Sequence, residues 1–178
     1  MKQNLFVRAV GGVGTVAALL VLPAACGNDR QADPLGMPEL SEAAGASLLA
    51  CPTGESHAAS ARVAPSGGNV GLGRHRMTIP AGAVADTVLI TMVAPASDYL
   101  LVEMRANAQE HYQFLAPLTV TIDYSHCRMD RIAAGPLSVW LVDPSSGALL
   151  QNMGGTDDRG ARTVTFTTDH FSGYAIAN

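Results

Sequence analysis

The sequence predicts an all-β domain, an antiparallel β-sandwich, over residues 51–178. From Val63 onward, short runs of β-prone residues alternate with turn residues at intervals of about ten, which is typical of a sandwich. No stretch after residue 60 has a sustained helical period of apolar residues, and only residues 38–49 favour a helical turn or two. A signal peptide (1–25) and a lipidated N-terminus with a flexible tether (26–50) are expected to precede the domain.

Two segments show the two-residue period of a strand with one buried face. Leu118, Val120 and Ile122 alternate with polar residues, and Val164 and Phe166 do the same between threonines. Successive side chains of a strand point to opposite faces, so this alternation predicts strands that turn their apolar residues toward a core.

Two other segments are continuous apolar runs, at residues 89–93 and 137–142. Runs of this length predict strands that are buried on both faces or lie near the centre of the sandwich. Segments rich in Gly, Asp, Ser and Pro follow at residues 143–147 and 154–160, and these predict turns.

The first 25 residues have the three-part layout of a secretory signal. Residues 1–8 are basic, residues 9–22 are apolar, and residues 23–25 supply the small side chains that a signal peptidase needs. The apolar run is too short and too rich in glycine for a stable membrane span. We therefore expect an exported protein that faces the periplasm or the exterior.

The segment around Cys26 resembles a bacterial lipobox. Its sequence is Leu-Pro-Ala-Ala-Cys at residues 22–26, with Pro23 where the family pattern usually has leucine. The resemblance implies a diacylglyceryl group on Cys26, which would anchor the domain stably in a membrane of the cell envelope. The alternative is an ordinary signal that is cut near Ala24 or Ala25, with Cys26 incidental.

The sequence has three cysteines, which leaves Cys51 and Cys127 as a pair if Cys26 carries lipid. A disulfide between them would persist in an oxidising compartment. The alternatives are two separate buried thiols or a metal site with His126. A metal site needs three or four ligands, and His126 is the one further His or Cys near either cysteine in sequence, so the disulfide is the better prediction.

Four strings occur in order: Gly-Gly at 67–68, Met-Thr-Ile-Pro-Ala-Gly-Ala at 77–83, Phe-Leu-Ala-Pro-Leu-Thr-Val at 114–120 and His-Phe-Ser-Gly-Tyr at 170–174. Together they resemble the ZU-five-type domain of zonula occludens proteins, netrin receptors, ankyrins and bacterial surface lipoproteins. The resemblance implies a β-sandwich that serves as an interaction or structural module. Independently, Pro80 lacks an N–H and is expected to end a strand, and Gly82 is expected to form the following turn.

The string His170-Phe171-Ser172 is associated with self-cleavage in some relatives of that domain. There the serine hydroxyl attacks the preceding carbonyl carbon, the histidine accepts the proton, and water resolves the ester. The alternative is structural, with Phe171 packed in the core and with His170 and Ser172 in a turn. The residues favour the structural alternative, because a nucleophile and a base form a site only with the right geometry.

The remaining candidates for binding or catalysis are weak. The five histidines are scattered at residues 57, 75, 111, 126 and 170, and none forms a metal-ligand motif. Asp157 and Asp158 lack the further oxygen ligands of a calcium loop. Glu103 and Glu110 are an acid pair only if the fold brings them together. We expect no cofactor and no metal.

The charge argues against nucleic acid as a partner. The formal net charge is −4, and removal of the first 25 residues, which hold two basic residues and no acid, takes it to about −6. Phosphate binding needs a clustered basic patch, which the sequence lacks. We expect a non-enzymatic module that binds an unknown protein or envelope component; a structural spacer or assembly subunit is the alternative.

Overall fold

The computed structural model describes residues 46–109, 111–128, 135–143 and 146–178. The predicted signal peptide, Cys26 and most of the predicted tether lie outside these residues. Within them the regular structure consists of strands in antiparallel pairs, so the prediction of an all-β fold is confirmed. None of the described residues belongs to a helix with the length and hydropathy that a membrane span requires.

The strands of the described residues are numbered in chain order: β1 (Ala50–Thr53), β2 (His57–Val63), β3 (Gly68–Leu72), β4 (His75–Ile79), β5 (Val88–Ala94), β6 (Ser97–Tyr99), β7 (Leu101–Ala106), β8 (Gln113–Asp123), β9 (Ser138–Val142), β10 (Leu149–Gly154), β11 (Thr156–Asp158), β12 (Thr163–His170) and β13 (Gly173–Ala177).

These strands form two large sheets and a small one. The six-stranded sheet has the order β10-β9-β13-β7-β5-β2, and the five-stranded sheet has the order β11-β12-β8-β4-β3. Strands β1 and β6 pair separately. Buried residues of both large sheets belong to one hydrophobic cluster. The sheets therefore pack face to face as a sandwich.

The centre of the five-stranded sheet confirms the predicted alternation. Leu118, Val120 and Ile122 of β8 are fully buried, and Val120 pairs with Phe166 of β12. Thr121, between the buried positions, exchanges a 3.0 Å hydrogen bond with a threonine hydroxyl of β12. The two-residue period thus separates an apolar inner face from a hydroxyl-rich outer face.

The two continuous apolar runs differ in their burial. In β9, Val139 and Trp140 are both buried although they point to opposite faces, as predicted for a strand covered on two sides. In β5, Ile90 and Met92 are buried but Leu89 is 38% exposed. The prediction for residues 89–93 is therefore wrong in this detail, because the outer face of the six-stranded sheet is uncovered at β5.

Residues 46–49 pair with the end of β13. Leu48 forms an isolated bridge with Ala177, and the Leu49 N–H donates to the Ile176 carbonyl at 2.8 Å. Leu48 also packs on the small cluster that contains Trp140. The predicted helical turn is wrong for residues 46–49, since they pair with β13 as extended chain. Residues 38–45 lie outside the described part.

The turn after β4 follows the prediction. Pro80 comes directly after Ile79, the last residue of β4, and Gly82 has a φ of +80°. Gly67 precedes β3 with a φ of +81°, and its Cα faces the backbone that follows β4. Both glycines therefore occupy backbone conformations that other residues adopt with difficulty.

Candidate functional site

The string His170-Phe171-Ser172 connects the two large sheets, since β12 ends at His170 and β13 begins at Gly173. Phe171 is fully buried, with its ring centroid 4.6 Å from that of Phe114. Its N–H donates to the Tyr112 carbonyl at 3.1 Å. Phe171 therefore fixes the point at which the chain passes from one sheet to the other.

Tyr174 and Thr168 hold the carbonyl group that precedes Phe171. The Tyr174 hydroxyl donates to the His170 carbonyl at 2.7 Å, and the Thr168 hydroxyl donates to the same oxygen at 2.9 Å. Burial raises the pKa of Tyr174 to about 12, so this donor keeps its proton at ordinary pH. The connection between the sheets is thus hydrogen-bonded inside the core.

The imidazole of His170 is engaged with its neighbour in sequence. Its Nδ1 lies 3.0 Å from Asp169 Oδ1, and this hydrogen bond holds the pKa of Asp169 below its usual value. Among the described residues, no side chain forms a hydrogen bond with the Ser172 hydroxyl, and Ser172 accepts the Met104 N–H through its carbonyl at 3.2 Å. These contacts are those of a turn that joins the two sheets, the role that the sequence favours. They do not test the alternative, self-cleavage between Phe171 and Ser172.

The acidic pair Asp157 and Asp158 at the end of β11 makes contacts within the protein. Asp157 accepts hydrogen bonds from the Tyr124 hydroxyl at 2.6 Å and the Leu137 N–H at 3.0 Å, and it pairs with Arg159. Asp158 Oδ1 accepts two backbone N–H groups of the following turn. Both carboxylates therefore stabilise β11 and the turn that follows it. Glu103 pairs with Arg105 at 2.9 Å, whereas Glu110 lies outside the described residues.

A disulfide joins Cys51 of β1 to Cys127, which follows β8, as predicted. Both cysteines are buried. The imidazole of His126 lies within 4.8 Å of both sulfur atoms, so the three residues have the spacing of a metal cluster. A metal ion binds a thiolate, and in the disulfide each sulfur is bonded to the other. While Cys51 and Cys127 form the disulfide, His126 is the one residue of these three that still has an atom able to bind a metal ion.

The disulfide lies beside a cleft of about 730 Å³ at one end of the sandwich. The walls come from both sheets: the start of β2, the end of β5, the turn between β3 and β4, and the end of β8. Its apolar lining consists of Ala58, Leu72, Ala94, Leu100 and Leu101, and its polar lining includes Thr53, Arg74, Asp123 and Ser125.

Three of the five histidines meet in this cleft, namely His57, His75 and His126. The sequence does not predict this grouping, because the three residues are far apart along the chain. Pairing of β4 with β8 brings His75 beside the end of β8, and the disulfide fixes the segment that carries His126. His111 and His170 lie elsewhere.

His75 is the buried member of this group, and its tautomer is fixed by a backbone contact. The Asp123 N–H donates to His75 Nδ1 at 3.1 Å, so Nδ1 carries no proton and Nε2 must carry it. Burial, with a smaller contribution from His126, lowers the pKa of His75, and the charge of Asp123 opposes this only in part. His75 is therefore a neutral hydrogen-bond donor in the wall of the cleft.

No protein-family model and no curated protein sequence matches this chain.

The lowered pKa of His75 predicts that the protein loses stability on acidification. Above pH 6.5, the ordinary pKa of histidine, the imidazole is neutral in both folded and unfolded chains. Below it, the unfolded chain binds a proton that folded His75 does not bind, so the free energy of unfolding falls until the pH reaches the lowered pKa. Urea denaturation between pH 5 and pH 8 measures this dependence.

The matched variant for this prediction is His75→Asn, since the amide oxygen of asparagine can accept the Asp123 N–H in place of Nδ1. The variant does not titrate, so its stability should fall less steeply below pH 6.5 than that of the unaltered protein. Equal slopes for the two proteins would show that His75 does not carry the effect.

Proposed function

We propose that the protein is an exported, lipid-anchored module of the cell envelope that binds a ligand without catalysing a reaction. The observation that carries this proposal is the cleft between the ends of the two sheets. Its volume of about 730 Å³ is within the range of small-ligand sites, and a few polar groups converge on an apolar lining. The lipobox-like sequence at Cys26 supports the anchor.

The arrangement of the polar groups in the cleft supports binding rather than catalysis. Ser125, Asp123 and His75 have the residue types of a hydrolytic triad, but their hydrogen bonds run in another order. The Ser125 hydroxyl donates to the Asp123 carboxylate at 2.6 Å, and His75 Nδ1 accepts a backbone N–H. In a triad the imidazole stands between serine and carboxylate and accepts the serine proton. Here, among the described residues, no imidazole accepts a hydrogen bond from the serine hydroxyl.

The resemblance of four strings to the ZU-five-type domain supports an interaction module as well. In this proposal His170, Phe171 and Ser172 form the structural corner between the sheets. The rival is a self-processing domain, in which the same string is cut after Phe171. A third candidate, a structural spacer or assembly subunit, would show itself as a stable homo-oligomer with no ligand.

The intact mass of the protein purified from membranes, denatured without reduction, tests the anchor and the corner together. We expect a lipid increment on Cys26, the two-proton deficit of the Cys51–Cys127 disulfide, and a chain that still carries residues 172–178. Cys26→Ser should lose the increment, and Ser172→Ala should leave the mass pattern of the polypeptide otherwise unaltered.

Three results would overturn parts of the proposal. A mass that ends at Phe171, with the small peptide recovered beside it and absent from Ser172→Ala, would establish self-cleavage. An unlipidated mass in both the unaltered protein and Cys26→Ser would remove the anchor. Turnover of glycan, ester or peptide substrates by the purified protein would contradict a non-enzymatic role.

A further inference from the structure

We propose that the cleft binds its ligand through an anionic oxygen group, a carboxylate or a phosphate, which accepts hydrogen bonds from Arg74 and from Nε2 of His75. The proposal rests on the cleft being the binding site, and it adds the chemical class of the ligand. Its basis is the set of hydrogen-bonding groups that the protein leaves open to the cleft.

Two hydroxyl groups in the lining are already bonded within the protein. Thr53 Oγ1 donates to the Pro95 carbonyl at 3.0 Å and accepts the Ser97 N–H at 3.2 Å. Ser125 Oγ donates its proton to Asp123 Oδ1 at 2.6 Å. A ligand that needs these hydroxyls as partners would have to break an existing bond.

Arg74 has N–H groups that form no hydrogen bond with the described residues. It lies on the exposed turn between β3 and β4, and one guanidinium nitrogen donates to the Ser125 hydroxyl at 3.0 Å. Within the described part of the chain, no carboxylate lies within ion-pair distance of it. A guanidinium presents five N–H groups in a planar fork that matches the two oxygens of a carboxylate or phosphate.

His75 provides a second donor, deeper in the cleft. It is 8% exposed, its Nε2 carries the proton, and none of the described residues accepts a hydrogen bond from that nitrogen. The residue lines the cleft, so this donor can bind an acceptor that a ligand supplies. Arg74 at the surface and His75 below it are both donors, so the complementary ligand group is rich in acceptors.

Asp123 is the acidic group that faces the same space. It is 7% exposed, and its Oδ1 accepts both the N–H and the hydroxyl of Ser125. Arg74, His57 and His126 are exposed, so a ligand that enters from solvent meets the donors of Arg74 before the carboxylate. Leu72 and Leu100 form part of the apolar wall, which suits a ligand with an apolar body behind its anionic group.

The test is calorimetric titration of the full protein, purified in a nonionic detergent, with four probes that share one apolar body. Hexanoate and hexyl phosphate present the two anionic groups, hexanol presents none, and hexylammonium presents a cation. We expect the anionic probes to bind about tenfold more tightly than hexanol. A charge-assisted hydrogen bond lowers the dissociation constant by about this factor. Whichever of hexanoate and hexyl phosphate binds more tightly identifies the anionic group of the ligand as a carboxylate or a phosphate.

Variants assign the binding to the proposed donors. Arg74→Gln and His75→Asn should each weaken binding of the anionic probe about tenfold and leave binding of hexanol unchanged. Arg76→Gln is the matched control, since Arg76 is an exposed arginine of β4 outside the cleft, and it should have no effect. The melting temperature confirms that His75→Asn stays folded.

The outcomes distinguish the proposal of an anionic ligand from the proposal that the cleft is a binding site. Hexanol or hexylammonium binding as tightly as hexanoate and hexyl phosphate, with Arg74→Gln silent, would overturn the anionic ligand and keep the cleft as a binding site. Absence of binding by all four probes would overturn both.

Discussion

Removal of the disulfide in a Cys51→Ala, Cys127→Ala double variant should lower the free energy of unfolding by about 4 kcal/mol. The bond spans 76 residues of chain, so it strongly restricts the unfolded state, and loop-closure entropy gives an effect of this size. It also ties β1, which pairs with the short strand β6, to the segment after β8. Denaturation in guanidinium chloride, followed by circular dichroism, measures the loss.

The control for the double variant is the unaltered protein treated with a dithiol. If the covalent link carries the effect, the reduced protein and the variant should unfold at closely similar denaturant concentrations. A loss below about 1 kcal/mol would mean that the unfolded chain remains compact without the bond, contrary to the argument from loop closure.

Replacement of Gly67 by alanine should destabilise the domain by at least about 3 kcal/mol, because two unfavourable effects coincide. Gly67 has a φ of +81°, which side chains with a Cβ rarely adopt. A Cβ there would also lie 2.8 Å from the Ala81 nitrogen and closer still to the Ile79 carbonyl oxygen. These contacts are backbone atoms of the adjoining chain, so relief requires β3 and β4 to separate. Thermal unfolding by calorimetry gives the size of the loss.

Gly73→Ala is the matched control for Gly67→Ala. Gly73 also has a positive φ, +59°, but a Cβ there would meet no atom within 4 Å. Its replacement should therefore lower the free energy of unfolding by about 1 kcal/mol, which is the cost of the positive φ alone. Equal losses in the two variants would show that the close approach at Gly67 adds nothing.

Local patterns predict those parts of the fold that local chemistry decides. The alternation of Leu118, Val120 and Ile122 predicted β8, because one buried face imposes a period of two. Pro80 predicted the end of β4, because it has no N–H for the ladder. The apolar run at residues 89–93 does not predict the exposure of Leu89. Composition does not show whether another segment covers the outer face of a strand.

The candidate site could not be predicted in the same way. His57, His75 and His126 meet because antiparallel registers place the start of β2, the start of β4 and the end of β8 at one end of the sandwich. Register depends on pairings between distant segments, which a single sequence does not reveal. The donor role of His75 depends on a single backbone N–H of Asp123, and no sequence signal marks such a contact.

The position of β13 sets the order in which this domain can form. Its five residues are buried, and it lies between β9 and β7 inside the six-stranded sheet. A polypeptide that leaves a ribosome or a translocation channel N-terminus first cannot complete that sheet until residue 177 has emerged. Until then β7 and β9 keep unpaired edges, to which other extended chains can bind. Before β13 is available, the six-stranded sheet is therefore divided between β7 and β9, and the sandwich cannot close.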